Sequence, residues 1–451
     1  MNAVLNSALA APLEARGIRN SPRSKLQPIV FYGTFALLLF GPLAFGAVDP
    51  WAIFLIESGS AALLLVWVLQ QIQQQELRIT PNPVFAPMCA FAILIAFQYL
   101  AHLTAYRYAT STAMLLLCAQ GLLCFLAVQT LHRTPQANRL AIIFSAYGFS
   151  LACFAILQSL SSTGKIYWYR EPHGGWPYGP YVNHNHYAGL MELLVPIPLV
   201  LSLTHFVHGR TKAVAAFAAA VMAASIFLSG SRGGMAALAV QMALLTTILI
   251  RRKAKARNTA LAIALFAVVM VGVLAWIGGG DLTRRMSTIH SDARAEISGG
   301  TRMNIDRDGI RMFARKPILG WGLATFPEVF PQFRTFYTDF YVNAAHNDYL
   351  QLLTETGILG FGTMIWLLMA TYRGAVRKLA NWPSDTNGAV ALAAIIAVTG
   401  LLVHSLVDFN LQIPANATLF YVLCAIAAMD PQFGRSRRRS RTDPITEMVT
   451  H

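Results

Sequence analysis

Long apolar runs, separated by short polar or Gly/Pro-containing stretches, recur along nearly the whole chain. A helix that crosses the hydrocarbon core of a bilayer needs about 20 mostly apolar residues. Twelve runs meet or approach that length: 29–45, 51–69, 84–101, 112–129, 140–160, 186–206, 213–228, 235–250, 259–277, 349–371, 388–403 and 416–429. They predict an all-α polytopic membrane protein with about twelve transmembrane helices. The chain then divides into a basic arm (1–28), nine helices (29–278), one large loop (279–348), three more helices (349–429) and a basic tail (430–451).

Composition agrees with this pattern. Of the 451 residues, 55% are hydrophobic and 12% charged, where soluble domains carry about 25% charged residues. So few charges could not cover the surface of a soluble protein this long, and disordered chains are poor in apolar residues. No cleavable signal peptide is expected, because the first 28 residues are polar and basic and the first apolar run leads into further spans. Cys89, Cys118, Cys124, Cys153 and Cys424 all lie within apolar runs, without metal-ligand spacing, and read as packing residues.

The net charge of +15 would suit a nucleic-acid partner, but its distribution argues otherwise. With the N-terminus inside, the cytoplasmic segments hold 22 Lys and Arg residues. The five short outer loops hold four: Arg107, Lys165, Arg170 and Arg232. That asymmetry follows the positive-inside rule. The large loop, too long for the rule, is nearly neutral, with nine cations and eight acids. The basic charge therefore reads as a topology signal and as contact with anionic lipids, with no nucleic acid involved.

Polar chemistry collects at the outer ends of the runs. The stretch 161–185 is rich in Gly, Pro, Tyr and Trp, as an interfacial aromatic belt would be. It ends in YVNHNHYAG, where Asn183, His184, Asn185 and His186 are consecutive hydrogen-bonding side chains that need partners. They read either as a cap for a sugar or headgroup, or as a His184/His186 metal pair. No carboxylate or thiolate stands nearby in the sequence to complete such a pair. Between the seventh and eighth runs, LSGSRGGMAAL makes a glycine-rich turn with Arg232 at a helix start. Arg232 either snorkels to headgroups or forms an anion site with helix N-terminal amides. Its position against the charge gradient favours the anion site.

Within the large loop, TRMNIDRDGIRMFARKPILGWG predicts an amphipathic helix capped by Thr301 and ended by Pro317, Gly320 and Gly322. Ile305, Met312 and Phe313 form its apolar stripe. Arg302 and Asp306 fall at i, i+4 on a polar face, as do Arg307 and Arg311. Such arginines are ordinarily solvated, yet with Arg315 they would also form a polyanion clamp. Where the loop re-enters the membrane stand His346, Asn347 and Asp348, with Glu355 close in sequence. His346 is either a satisfied structural residue or a general base, since an imidazole titrates near about 6.5. In HSLVDFNLQIP, His404 and Asp408 lie at i, i+4 and predict a structural pair. Glu57 and Glu192, inside or at the ends of runs, are functional candidates whose partners the sequence does not place.

Taken in order, VNHNHYAG, GSRGG, TRMNIDRDGIRMFARKPILGWG and AHNDYLQLLTETGILG resemble the O-antigen ligase and O-antigen polymerase superfamily of bacterial membrane glycosyltransferases. The resemblance covers residues 180–415 and implies an architecture related to the C-type membrane glycosyltransferases. It implies a glycan donor carried on undecaprenyl pyrophosphate and an active site at the periplasmic face of the bacterial inner membrane. The acceptor would be a lipid A core in a ligase, or the end of a growing polysaccharide in a polymerase. Neither a cofactor nor a bound metal is implied. The family's two important arginines match Arg232 and Arg302, and its histidine matches His346. Asn183, His184, Asn185, His186, Arg307, Arg311, Asn347, Asp348, His404 and Asp408 are then the substrate-binding candidates. NHNHYAG and HSLVDFNLQIP resemble a branch of the family found with exopolysaccharide export. A transporter of polyanions or lipid-linked glycans is the second function class. Transporters commonly show internal repeats and midplane binding groups, whereas here no repeat is evident and the polar clusters crowd one face.

This topology places both termini and segment 251–258 in the cytoplasm, and 279–348 in the periplasm. Single cysteines at positions 290 and 255, on a cysteine-free background, should be labelled by an impermeant reagent before and only after inner-membrane permeabilisation, respectively. The opposite pattern would invert the orientation.

Overall fold

The computed structural model describes residues 26–172, 176–251, 299–338 and 341–433. Thirteen principal helices are found among them. The first nine are α1 (Leu26–Leu43), α2 (Pro50–Gln74), α3 (Phe85–Leu100), α4 (Arg107–Thr130), α5 (Thr134–Ser161), α6 (His184–Leu194), α7 (Pro196–Leu203), α8 (Gly209–Ser229) and α9 (Arg232–Arg251). The other four are α10 (Gly299–Arg315), α11 (Asp348–Val376), α12 (Thr386–His404) and α13 (Pro414–Ala428). Among the described residues, β-structure is limited to two isolated bridges in the loop after α5, Ile166 with Arg170 and Tyr178 with Tyr181.

Nine candidate spans among these residues are long and apolar enough to cross a membrane, α6 and α7 counting as one, while α3 and α13 are shorter apolar helices. The chain is thus a multi-pass membrane protein. Each predicted run except 259–277 coincides with a helix. That run lies outside the described residues, as do most of the N-terminal arm, the tail beyond 433, and 279–298 of the large loop. A count of twelve spans therefore remains the expectation from sequence.

Burial separates two kinds of helix. The windows of α6–α7 and α12 are 83% and 78% buried within the bundle, whereas that of α2 is 22% buried. On its outward face α2 presents Phe54, Leu65, Leu69 and Ile72, as a lipid-facing helix must. The central helices are tied by a polar contact: buried Gln241 of α9 donates from Nε2 to the carbonyls of Glu192 (2.8 Å) and Ile396 (3.1 Å). An apolar medium offers no water to replace such bonds.

Two breaks shape the bundle. The sixth predicted run is divided at Val195 into α6 and α7, where Pro196 and Pro198 remove backbone donors from the helix. Inside α11, Gly357 has φ 63° and ψ −168°, a conformation essentially restricted to glycine. The loop after α10 is stitched into that break. Trp321 N donates to Thr354 O (3.0 Å), Gly322 N to Glu355 O (2.8 Å) and Ile358 N to Pro317 O (2.9 Å). The buried Glu355 carboxylate accepts from Ala324 N (2.8 Å), Phe326 N (3.2 Å) and Gln351 Nε2 (3.2 Å). Glu355 is therefore committed to the loop and does not join His346.

The predicted amphipathic helix is α10. It ends at Arg315, and Thr301 lies inside its first turn instead of capping it. Ile305 and Met312 are fully buried, in a small core with Phe326, Val329, Phe330, Val342 and Ala345. That core seats α10 on the end of the bundle, where α11 begins.

A Cβ at position 357 would lie 2.2 Å from Ile318 O, while one at Gly362, further along the same helix, meets nothing within 4 Å. Gly357→Ala should therefore destabilise the protein by about 3 kcal/mol or more, and Gly362→Ala should not. Thermal-shift measurements on the purified protein check the pair, and equal melting would remove the constraint assigned to Gly357.

Candidate functional site

The turn from His404 to Gln412, joining α12 to α13, collects side chains from four other helices. Asp348, the first residue of α11, anchors it. Its backbone N donates to Ser405 O (3.0 Å), and its carboxylate accepts from Ser405 Oγ (2.7 Å), Leu411 N (2.9 Å) and Gln412 Nε2 (3.3 Å). Asn410 and Asn416 close the turn against α6. Asn416 Nδ2 donates to His186 O (2.9 Å) and Asn410 Oδ1 (3.2 Å), and Tyr181 Oη donates to Asn416 Oδ1 (2.9 Å).

The expected His404–Asp408 pair does not form. His404 Nδ1 instead donates to Glu192 Oε1 of α6 at 2.7 Å, both side chains being buried. The turn of residues 404–408 carries Asp408 away from the His404 ring and towards two other imidazoles. Asp408 Oδ1 lies 3.8 Å from His186 Nε2 and 3.7 Å from His346 Nδ1. Both distances are within ion-pair reach but longer than a hydrogen bond. The ring of Phe409 stands edge-on to both, with centroids 4.6 Å from His186 and 4.8 Å from His346. Burial opposes the charge on Asp408, but the two imidazoles outweigh it and hold the carboxyl well below the usual carboxylate range.

His346 reaches this position through an unusual backbone. Its φ is +54°, the left-handed region that non-glycine residues adopt at a cost of about 1 kcal/mol or more. Asn347 then caps α11, its Oδ1 accepting from Leu350 N (3.2 Å). The three consecutive residues thus have separate tasks: His346 faces Asp408, Asn347 starts the helix and Asp348 pins the turn.

Arg302 approaches from α10. Its Nη1 donates to Val407 O at 2.9 Å, next to Asp408. Asp306, one turn on, sits beside Asn347, His346 and Arg302, and partial burial raises its carboxyl above the usual range despite them. The other arginines of α10 lie elsewhere. Arg311 pairs with buried Asp308 (3.0 Å), which also accepts from Thr335 N (2.7 Å), while Arg307 and Arg315 are exposed.

Arg232 is the first residue of α9. Gly230 ends α8 with φ +79°, and Ser231 caps α9, its Oγ accepting from Gly234 N (3.1 Å). That amide is thus already engaged, which narrows the sequence reading of open N–H groups in this turn. A Cβ on Gly233 would lie 2.6 Å from His404 Nε2 and 3.0 Å from Val407 Cγ2. The helix carrying Arg232 therefore packs directly on the same turn that receives Arg302.

The four residues before and within the first turn of α6 separate. Asn183 caps the helix, accepting from Asn185 N at 2.8 Å. His184 lies edge-on to Trp176 (5.7 Å), and His186 faces Asp408. The two histidines thus have different neighbours, and no cluster of three His, Cys, Asp or Glu side chains suited to a metal occurs among the described residues. Arg170 binds Asp49 through both terminal guanidinium nitrogens and covers the Phe45 ring at 3.9 Å, which locks the loop after α5 onto the α1–α2 turn.

Seven buried polar atoms around the turn have no hydrogen-bond partner among the described residues: His186 Nε2, Glu192 Oε2, Arg302 Nε, Asp306 Oδ1, His346 Nδ1, Asp408 Oδ2 and Asn410 Nδ2. Buried polar groups are seldom left so, and their concentration makes this turn the candidate site. Sequence reasoning missed the Glu192–His404 pair and the two asparagines of the turn. The only signal for either was an ionisable or amide side chain in an apolar run.

Residues 217–365 match the family model described as O-antigen ligase. This bears out the superfamily resemblance drawn from the motifs. The matched stretch includes Arg232, Arg302 and His346, while His186 and Asp408 lie outside it. None of the curated proteins compared with the chain matches it.

Removing one member of a buried pair leaves an uncompensated polar group, at a cost of about 3–5 kcal/mol. Glu192→Leu and His404→Leu should each destabilise strongly, and the double variant should be milder than the sum of the two. A double-mutant cycle on unfolding in detergent measures this. Strict additivity would mean that the pair contributes no coupling.

Proposed function

We propose that the protein is an O-antigen ligase-like glycosyltransferase. It moves a glycan from undecaprenyl pyrophosphate to an acceptor hydroxyl at the periplasmic face of the bacterial inner membrane. The observation that carries this reading is the convergence of Arg302 and the Arg232 helix on Val407, beside a histidine backed by a buried carboxylate. Two guanidiniums suit a pyrophosphate leaving group, and a carboxylate-backed imidazole suits a hydroxyl nucleophile.

The chemistry balances with these groups alone. The acceptor oxygen attacks the anomeric carbon from the face opposite the pyrophosphate, so the centre inverts. The bond from the anomeric carbon to the pyrophosphate oxygen breaks, and its electron pair leaves with the lipid pyrophosphate. Arg232 and Arg302 stabilise the charge that grows there, in the role a divalent cation often fills. His346 takes the hydroxyl proton on Nε2, because Nδ1 faces Asp408. Asp408 does not touch the substrates. It orients the ring and stabilises the imidazolium, as the acid of a catalytic triad does.

The lipid tail needs an apolar surface beside this centre. A cavity of about 180 Å³, lined by Leu116, Leu352, Phe361 and Tyr421 and open to the surroundings, lies between α3, α4, α11 and α13, with Asp348 in its lining. The acceptor is a saccharide hydroxyl: a lipid A core in a ligase, or the end of a growing chain in a polymerase. NHNHYAG resembles the exopolysaccharide branch, which keeps the polymerase as the second reading.

Donor affinity and transfer rate, measured side by side, test the roles. Arg232→Ala and Arg302→Ala should each lower transfer by two or three orders of magnitude, a loss of about 3–4 kcal/mol in transition-state stabilisation. Arg→Lys should rescue poorly, since an ammonium lacks the planar fork. His346→Ala should retain donor binding and lose turnover. Near-wild-type transfer by His346→Ala, or normal binding and turnover by both arginine variants, would defeat the assignment. Net movement of a lipid-linked glycan across the bilayer without transfer would instead favour a carrier.

A further inference from the structure

The end of the bundle remote from the His404–Gln412 turn holds a cavity that the proposed reaction does not use. We infer that it binds one anionic phospholipid, with an acyl chain inside the cavity and the phosphate on Arg139. This does not depend on the glycosyl-transfer reading.

The cavity lies among α1, α5, α7, α12 and α13, has a volume of about 100 Å³ and is open to the surroundings. A single water would take about 10–15 Å³ of such space, so a row of methylene groups fits. Phe35, Phe144, Val200, Ala393 and Leu423 stand in its apolar wall. Its polar side chains gather at one end: Thr204 caps the end of α7, Thr386 begins α12, and Asn138 lies in the second turn of α5. Thr204 Oγ1 is already spent on Leu201 O (2.7 Å). Water needs two or more polar partners, and the rest of the wall offers none. An empty cavity forfeits dispersion contacts along its whole lining. A chain from the surrounding bilayer restores them and desolvates nothing. The occupant is therefore hydrocarbon.

The charge beside the cavity identifies the head. Side chains of α1 and α5 meet along a seam. Arg139 donates to Tyr32 Oη, the Phe35 and Phe144 rings stand 6.2 Å apart, and Tyr147 Oη donates to Leu39 O (2.8 Å). The Phe35–Phe144 contact is part of the cavity wall, and the Arg139–Tyr32 contact lies about one turn nearer the end of the bundle. Asn138 and Leu140, on either side of Arg139, also line the cavity. Arg139 is exposed and Tyr32 is neutral. Among the described residues no acid forms an ion pair with Arg139. An unmatched guanidinium at the edge of an apolar cavity complements a phosphate with an alkyl chain beneath it. A zwitterionic head brings its own cation and gains less from Arg139. The positive-inside reading puts this end of the bundle at the cytoplasmic leaflet, whose surface is anionic.

Native mass spectrometry of the protein released from nanodiscs tests this, with phosphatidylglycerol and phosphatidylcholine of identical chains. One lipid should stay bound after washing. Phosphatidylglycerol should be preferred about five-fold, the effect of one basic residue at a membrane surface. Arg139→Gln should abolish that preference. Arg251→Gln removes an exposed charge at the end of α9, which does not line the cavity, and should keep it. Ala141→Phe fills the cavity from its wall and should displace both lipids. In the washed complex, phosphatidylglycerol with a photoreactive chain end should cross-link to residues 137–144 or 386–394. Equal affinity of the wild type for the two lipids overturns the inference, as does an unchanged preference in Arg139→Gln. Undiminished binding by a folded Ala141→Phe does so too, as does a cross-link confined to other helices or a polyprenyl phosphate retained from the native membrane in place of a phospholipid. If Ala141→Phe does not fold, the two arginine variants and the cross-link still decide.

Discussion

A carboxylate inside a membrane protein has no water to share its charge, so each must be met by groups from other parts of the chain. Four such acids organise the end of this bundle. Glu192 binds His404, Asp348 collects the α12–α13 turn, Glu355 collects the loop after α10, and Asp408 draws in two histidines. The demand of each acid for partners fixes one segment against another. Together they hold α6, α11, α12, the α12–α13 turn and the loop after α10 in a single arrangement. The candidate site thus follows from satisfying buried charge: the segment carrying His346 and the turn that receives Arg302 are fixed by these acids.

Much of the architecture could be read from the chain because hydropathy is a local property. The edges of α2, α5, α9 and α12 follow the apolar runs to within a few residues, and the charge at their ends suggested orientation. The polar residues of the site were visible for the same reason, as side chains that interrupt apolar runs. What remained hidden was pairing. His404 and Glu192 are separated by 212 positions, so the i, i+4 spacing to Asp408 pointed to the wrong partner. Among the loop arginines, helical spacing put Arg302 on a different face from Arg307 and Arg311, but only the fold shows which face meets the turn. The left-handed backbone of His346 also has no sequence signal, since it follows from how the loop closes on α11.

Glycines mark the tightest approaches. Gly233 allows α9 to touch His404, and Gly357 lets the chain turn inside α11 where the loop hydrogen-bonds to it. In both places a side chain is excluded by a neighbour that itself serves the polar network. Backbone proximity and charge neutralisation are thus coupled, and loss of either would loosen the other.

The stitching of the large loop into α11 bears on how reactants come and go. Lifting that segment away from the membrane would break the bonds from Trp321, Gly322 and Ile358 and strip Glu355 of its backbone donors, each at a cost of about 1 kcal/mol or more in a dry interior. The segment 317–326 and the first turns of α11 are therefore tied together as one unit. For the lipid-linked donor proposed above, this arrangement favours entry and exit sideways, between helices. The sugar end would be the only part of the carrier to meet the aqueous side.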